Sequence, residues 1–186
     1  MMAKRLFDII VAGILLVFSL PAMAFIAIAI KFDSTGPVIF RQSRVGREGH
    51  TFEMLKFRTM VLDAEKLGDF STARHDPRIT RCGRFLRRTS LDELPQLFNV
   101  LFGDMSLVGP RPDVPSQREN YTEEEWQTRH RVRPGITGLA QATVRSDAKP
   151  GERKNLDLEY VNKASFWLDL KILIWTVRQV VSKGSF

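Results

Sequence analysis

Residues 87–112 read RRTSLDELPQLFNVLFGDMSLVGPRP. Two carboxylates stand side by side at Asp92 and Glu93. Arg84, Arg87 and Arg88 precede them, and Arg111 follows within Gly109-Pro110-Arg111-Pro112. Adjacent acids among arginines suit phosphate chemistry: a guanidinium offers a rigid fork of donors to phosphate oxygens, and a carboxylate can hold Mg²⁺ or attack phosphorus. The same letters also spell a helix start. Ser90 followed by Glu93 is an S-x-x-E capping box ahead of Leu94, Leu97, Phe98 and Leu101 on one apolar face. On that reading Asp92 only complements the helix dipole. The two readings are compatible, because a helix N-terminus attracts phosphate.

Upstream, residues 9–30 (IIVAGILLVFSLPAMAFIAIAI) carry no charge, and about 20 apolar residues suffice to span a bilayer. Lys4 and Arg5 with Ala22-Met23-Ala24 resemble a signal peptide and its cleavage site, but the apolar run continues past that site to Ile30, which argues against cleavage. Pro21 removes a backbone hydrogen bond in mid-run and favours a bend, where Ser19 can return a hydroxyl bond to the freed backbone. Basic residues flank both ends, Lys4 and Arg5 before, Lys31, Arg41, Arg44 and Arg47 after, so both ends are expected in the cytoplasm. A re-entrant helix satisfies that pattern; a straight span with a tolerated proline is the alternative. Asp8, four residues after Lys4, has the spacing of a helical ion pair.

Beyond Pro37, PVIFRQSRVG and HTFEMLKFRTM read as strands joined at Gly46-Arg47-Glu48-Gly49, with Lys56 and Arg58 delivered to one side by alternation. Residues 61–80 read as a helix turn and a solvated loop, His75 and Asp76 included. Helices are expected before and after Ser90, from Pro115 or Gln117 to about His130, near Leu156–Val161, and through SFWLDLKILIWTVRQVV, whose Trp, Lys and Arg suit a membrane interface as well as a core. Arg133-Pro134-Gly135-Ile136-Thr137-Gly138 is a turn whose amides and arginine can hold a phosphate. The acidic triplet Glu123–Glu125 is expected to solvate a surface.

Three words occur in order: KFRTM (residues 56–60), SLDELPQLFNVLFGDMSLVGPRP (90–112) and RPGITGLAQ (133–141). Together they resemble the monotopic phosphoglycosyl transferases, bacterial enzymes that load a sugar phosphate onto a polyprenol phosphate, and the likeness extends from Lys4 to about Val180. The resemblance implies a mostly helical α+β domain, 1–186. It comprises a re-entrant membrane helix over 1–32 and a cytoplasmic catalytic part over 33–186, with a small β-hairpin and amphipathic interfacial helices. It implies a UDP-sugar donor, release of UMP, an aspartyl intermediate on Asp92, and Glu93 binding Mg²⁺ or helping to position and deprotonate; both acids are candidate metal ligands. Arg87 and Arg111 become phosphate clamps, with Lys56, Arg133 and Arg145 as further phosphate or nucleotide contacts, and Ser19 and Pro21 mark the membrane bend. Two places depart from the family pattern. Leu20 separates Ser19 from Pro21, and Ala142-Thr143-Val144-Arg145 stands where Asn-Gly-Arg is common.

Length and charge agree with this picture. The chain has 186 residues and a net charge of +7, which suits one domain with anionic partners: a phospholipid membrane, the UDP-sugar and polyprenol phosphate. The lone Cys82 excludes an internal disulfide. A non-enzymatic module binding nucleic acid or lipid accounts for the charge but not for the acid pair or the apolar run, so no nucleic-acid partner is expected. The expected location is the cytoplasmic face of a bacterial inner membrane, at the first membrane step of glycan synthesis. A homodimer is left open.

Overall fold

The computed structural model describes residues 2–64, 76–144 and 150–183. Its longest element is helix α1, Met2–Asp33, about 48 Å at 1.5 Å per residue and apolar enough to cross a membrane. The helix is continuous through Pro21. Ser19 Oγ donates to the Leu16 carbonyl at 3.1 Å, one residue short of Val17, whose carbonyl is the one that Pro21 deprives of a donor. Much of the helix faces outward: Val17, Phe18 and Phe25 are 65%, 80% and 74% exposed. The rest of the protein holds both ends. Near the start, Arg5 donates to the carbonyls of Val100 and Leu101. Asp8 is buried and accepts from Ser106 Oγ at 2.9 Å and from the Leu107 N–H. Lys4 pairs with Asp169 rather than with Asp8, because a buried strand terminus offers Asp8 donors and leaves Lys4 to another acid. Near the end, Asp33 accepts from the Cys82 N–H at 2.8 Å, and Ser34 accepts from Arg58 at 2.8 and 2.9 Å.

Strands β1 (Ile39–Val45) and β2 (Thr51–Phe57) form the expected antiparallel hairpin, with Ile39 opposite Phe57 and Val45 opposite Thr51. Its tip uses left-handed backbone at Glu48 and Gly49. Because β2 stops at Phe57, the alternation stops too. Lys56 turns toward Glu93 while Arg58 turns to the end of α1, so the two bases are not delivered together.

Helix α2 (Arg81–Thr89) starts at Thr80, whose hydroxyl accepts from the Gly83 N–H. Gly83 presses on the Thr59 carbonyl so closely that a Cβ would collide with it. The segment after α2 departs from the sequence reading. Ser90 serves two elements: it is the left-handed C-cap of α2, at φ 55°, and it precedes the short 3₁₀ turn Leu91–Glu93 without a side-chain capping bond to it. Pro95 then starts α3, Gln96–Phe102, which Gly103 ends at φ 101°. The box fails because the α2 terminus needs Ser90 for its own carbonyls.

Downstream, the short strands β3 (Ser106–Val108) and β4 (Gly135–Thr137) pair in parallel, a sheet too short to show period-two alternation. A 3₁₀ turn spans Pro115–Asn120, and α4 is only Glu123–Arg129, opened by a Thr122–Glu125 capping box. Of the acidic triplet, Glu125 therefore caps a helix and also pairs with Lys154 at 2.8 Å, and Glu123 pairs with Arg118. Helices α5 (Leu139–Thr143), α6 (Pro150–Lys163) and α7 (Phe166–Lys183) close the chain. One core gathers Ala12 of α1 with Met54, Val100, Met105, Val108, Tyr160 and Ile172. A second packs Met23, Ile26 and Ile30 of α1 on Phe57 and Leu86. Trp167, Ile174 and Val177 on α7 remain exposed.

Candidate active site

The left-handed turn at Ser90 sends the chain from α2 into the 3₁₀ turn that carries Asp92 and Glu93, so two neighbours in sequence meet different surroundings. Glu93 is clamped. Its Oε1 accepts from Lys56 Nζ of β2 and from Arg111 Nη2, both at 2.9 Å. Burial works against the Glu93 charge, but Arg111 and Lys56 outweigh it and hold the carboxyl at about 2. Glu93 in turn raises the Arg111 guanidinium, whereas burial lowers the Lys56 ammonium against the pull of Glu93.

Asp92 is buried, and no hydrogen bond from a described residue holds its carboxylate. Its electrostatic neighbours are Lys56, Glu93, Arg87 and Arg111. Burial raises its carboxyl above the ordinary range, Glu93 adds to the rise, and the three cations oppose it. Arg87 reaches the same place from the last turn of α2, with Nε donating to Thr59 Oγ1 at 2.9 Å. Burial lowers its guanidinium, and Asp92 is the first opposing charge. A desolvated carboxylate ringed by cations can act as a nucleophile, and the cations can receive phosphate oxygens.

The structure thus brings together Asp92, Glu93, Arg87, Arg111 and Lys56. It places Arg133 elsewhere: Nε donates to the Gly103 carbonyl at 2.7 Å, and its charged neighbours are Arg5, Arg47, Asp8 and Glu48. The candidate Arg145 lies outside the described residues, as does His75. Asp76 is taken up by Arg78 at 2.6 Å. Among the described residues no cluster of three or more His, Cys, Asp or Glu side chains is arranged to hold a metal ion; the adjacent pair Asp92–Glu93 is the acidic donor set that this site offers.

Two nearby residues escaped the sequence reading. Thr59 orients Arg87, and its place inside KFRTM was the available signal. Arg44 lies on β1 within the field of Arg111, Asp113 and Glu93, and burial with Arg111 lowers its guanidinium to about 10. Nothing in its local pattern sets it apart from the other hairpin arginines.

Comparison with known proteins places the chain in a family. The family model described as bacterial sugar transferase matches residues 1–183. The undecaprenyl-phosphate glucose phosphotransferase of Komagataeibacter xylinus is 46% identical over 200 residues, covering 100% of this chain and 37% of that protein. The UDP-glucose:undecaprenyl-phosphate glucose-1-phosphate transferase of Escherichia coli (strain K12) is 44% identical, with 98% and 41% covered. A protein of the same name from Caulobacter vibrioides is 42% identical, with 96% and 70% covered. The chain spans about two fifths of the length of the first two relatives. A match along nearly the whole chain, with an acid pair seated among arginines at its centre, makes this protein a member of the bacterial sugar transferase family.

Proposed function

We propose that this chain transfers a sugar 1-phosphate from a UDP-sugar to a polyprenol phosphate and releases UMP. The observation that carries the reading is the asymmetry of the acid pair. Glu93 is locked by two cations, while Asp92 is buried, takes no hydrogen bond from a described residue and lies in the field of Lys56, Arg87 and Arg111. In the first step an Asp92 oxygen bonds to the β-phosphorus. The bond from that phosphorus to the bridging oxygen breaks, and UMP leaves with the electron pair. In the second step an oxygen of polyprenol phosphate bonds to the same phosphorus, the bond to Asp92 breaks, and the carboxylate is restored. Arg87 and Arg111 hold phosphate oxygens while charge moves between them.

Asp92 and Glu93 are hard oxygen donors of the kind that suits Mg²⁺, and these two neighbouring carboxylates would hold the ion here. When bound, it would neutralise diphosphate charge.

The same reading places the protein on a membrane through α1, with the body of the chain on the cytoplasmic side. A straight helix of about 48 Å would put its ends on opposite faces of a hydrocarbon core of about 30 Å. Here one folded body holds Arg5 and Asp8 as well as Asp33 and Ser34, which supports a re-entrant helix. The exposed apolar face of α7, with Trp167, Ile174 and Val177, suits contact with the same interface.

The nucleotide product tests the chemistry. With UDP-glucose and polyprenol phosphate in detergent, chromatography should show UMP. Release of UDP means cleavage at the anomeric carbon and rejects the reading. A panel of UDP-hexoses in the same assay identifies the sugar.

A further inference from the structure

Arg111 reaches Glu93 from a turn that cannot hold itself. Pro110 and Pro112 flank it, and neither has an N–H to give. Four consecutive carbonyls of this turn are instead taken by donors from elsewhere, each at 2.9 Å: Pro110 by the Gly135 N–H, Arg111 by Arg129 Nη2, Pro112 by Arg44 Nη1, and Asp113 by the Val45 N–H. Two of the four donors are side chains, and both are arginines.

Arg129 ends α4 and is 5% exposed. Its Nη2 also meets Asp157 Oδ2 at 2.8 Å, and its Nε meets Asp113 Oδ2 at 2.9 Å and the Tyr121 hydroxyl at 3.0 Å. The guanidinium lies 5.6 Å from the centre of the Tyr121 ring. One buried fork therefore joins the proline turn to α4 and α6. Arg44 stands on β1, and Gln42 Oε1 steadies it by accepting from Nε and Nη2 at 3.1 and 2.6 Å.

We propose that Arg129 and Arg44 are positioning residues for the transfer reaction, a role that rests on the phosphoglycosyl reading of the Asp92 site. Neither donates to Asp92 or Glu93. They hold the consecutive carbonyls of Arg111 and Pro112, and so fix where the Arg111 guanidinium meets Glu93. Lysine at either place keeps the charge but has no planar fork, so it cannot hold the carbonyl and its other partners together.

A double-mutant cycle on the full chain in detergent tests this. The four proteins are the unaltered chain, Arg129→Lys, Arg111→Lys and the double variant. The readouts are kcat/KM for UMP release and UDP affinity by calorimetry. Arg129→Lys should lower kcat/KM about tenfold when Arg111 is present and less than about twofold when Arg111 is already lysine, the non-additivity expected of a residue acting through another. UDP affinity should show the same coupling, and it supplies the comparison if turnover of the double variant is too slow to measure. A purely structural role lowers both backgrounds by the same factor, and equal losses overturn the proposal. Should circular dichroism show Arg129→Lys unfolded, Arg44→Lys runs the same cycle on the next carbonyl. The unaltered chain separates the two failures. If it releases no UMP, the phosphoglycosyl reading falls; if it releases UMP and the losses are additive, only the positioning role falls.

Discussion

Ser106 Oγ donates to Asp8 Oδ2 at 2.9 Å, so a buried acid of the apolar helix grips the strand that leads into the Arg111 turn. Asp8 also accepts from the Leu107 N–H. The start of α1 is thereby part of the scaffold of the site. Replacing Asp8 with Ala strands both donors in a buried place, and a loss of about 2–3 kcal/mol is expected. Denaturant unfolding in detergent measures it. A change below about 0.5 kcal/mol, the level of an ordinary surface substitution, would contradict the buried placement.

Glu93 gives a pH signature. Its carboxyl is held at about 2 against the ordinary 4.5. A depressed carboxyl contributes stability above its unfolded value and loses it as pH falls, so the window runs from about 4.5 down to about 2. The contribution is on the order of 3 kcal/mol. Unfolding followed across that window should show a falling limb in the unaltered chain and a smaller fall in Glu93→Gln.

Asp92 has the opposite sign. Burial raises its carboxyl, so its ionised form strains the fold, and stability falls as pH rises from 3.8 toward the raised value. Asp92→Asn should therefore unfold at the same or a higher temperature at pH 7 while losing turnover. An inactive variant with a clearly lower unfolding temperature would point to a structural role instead.

How much of this was legible beforehand depended on the range of each interaction. The hairpin followed from two β-rich runs punctuated by glycines, although its second strand ends at Phe57 and does not carry the alternation on to Arg58. The acid pair, Arg87 and Arg111 were visible as a cluster in one stretch. Ser90 was misread because an S-x-x-E pattern does not say which of two adjoining helices claims the serine; the left-handed cap of α2 won. Lys4 was assigned to Asp8 by spacing, but burial against β3 drew Asp8 to Ser106 and left Lys4 to Asp169. Arg44 and Arg129 could not be found from periodicity, because their role is to supply donors to a distant carbonyl. The prolines at 110 and 112 were the one hint that such donors were needed.

The helix α1 makes a topological prediction. Cysteines placed near the N-terminus and near Gly36, in a Cys82→Ser background, should both react with an impermeant thiol reagent from the cytoplasmic side. Pro21→Leu restores the missing N–H to mid-helix and should shift part of the population toward opposite-face labelling. Opposite-face labelling in the unaltered topology would contradict the re-entrant reading.

The most direct test of the central claim is the mass of the intact protein after brief exposure to UDP-glucose without polyprenol phosphate. The account predicts a species heavier by one hexose phosphate, carried on Asp92, formed together with UMP and missing in Asp92→Asn. Adding polyprenol phosphate should discharge it. UMP that appears only when the acceptor is present, with no adduct at any time, would contradict the account and remove Asp92 as the nucleophile.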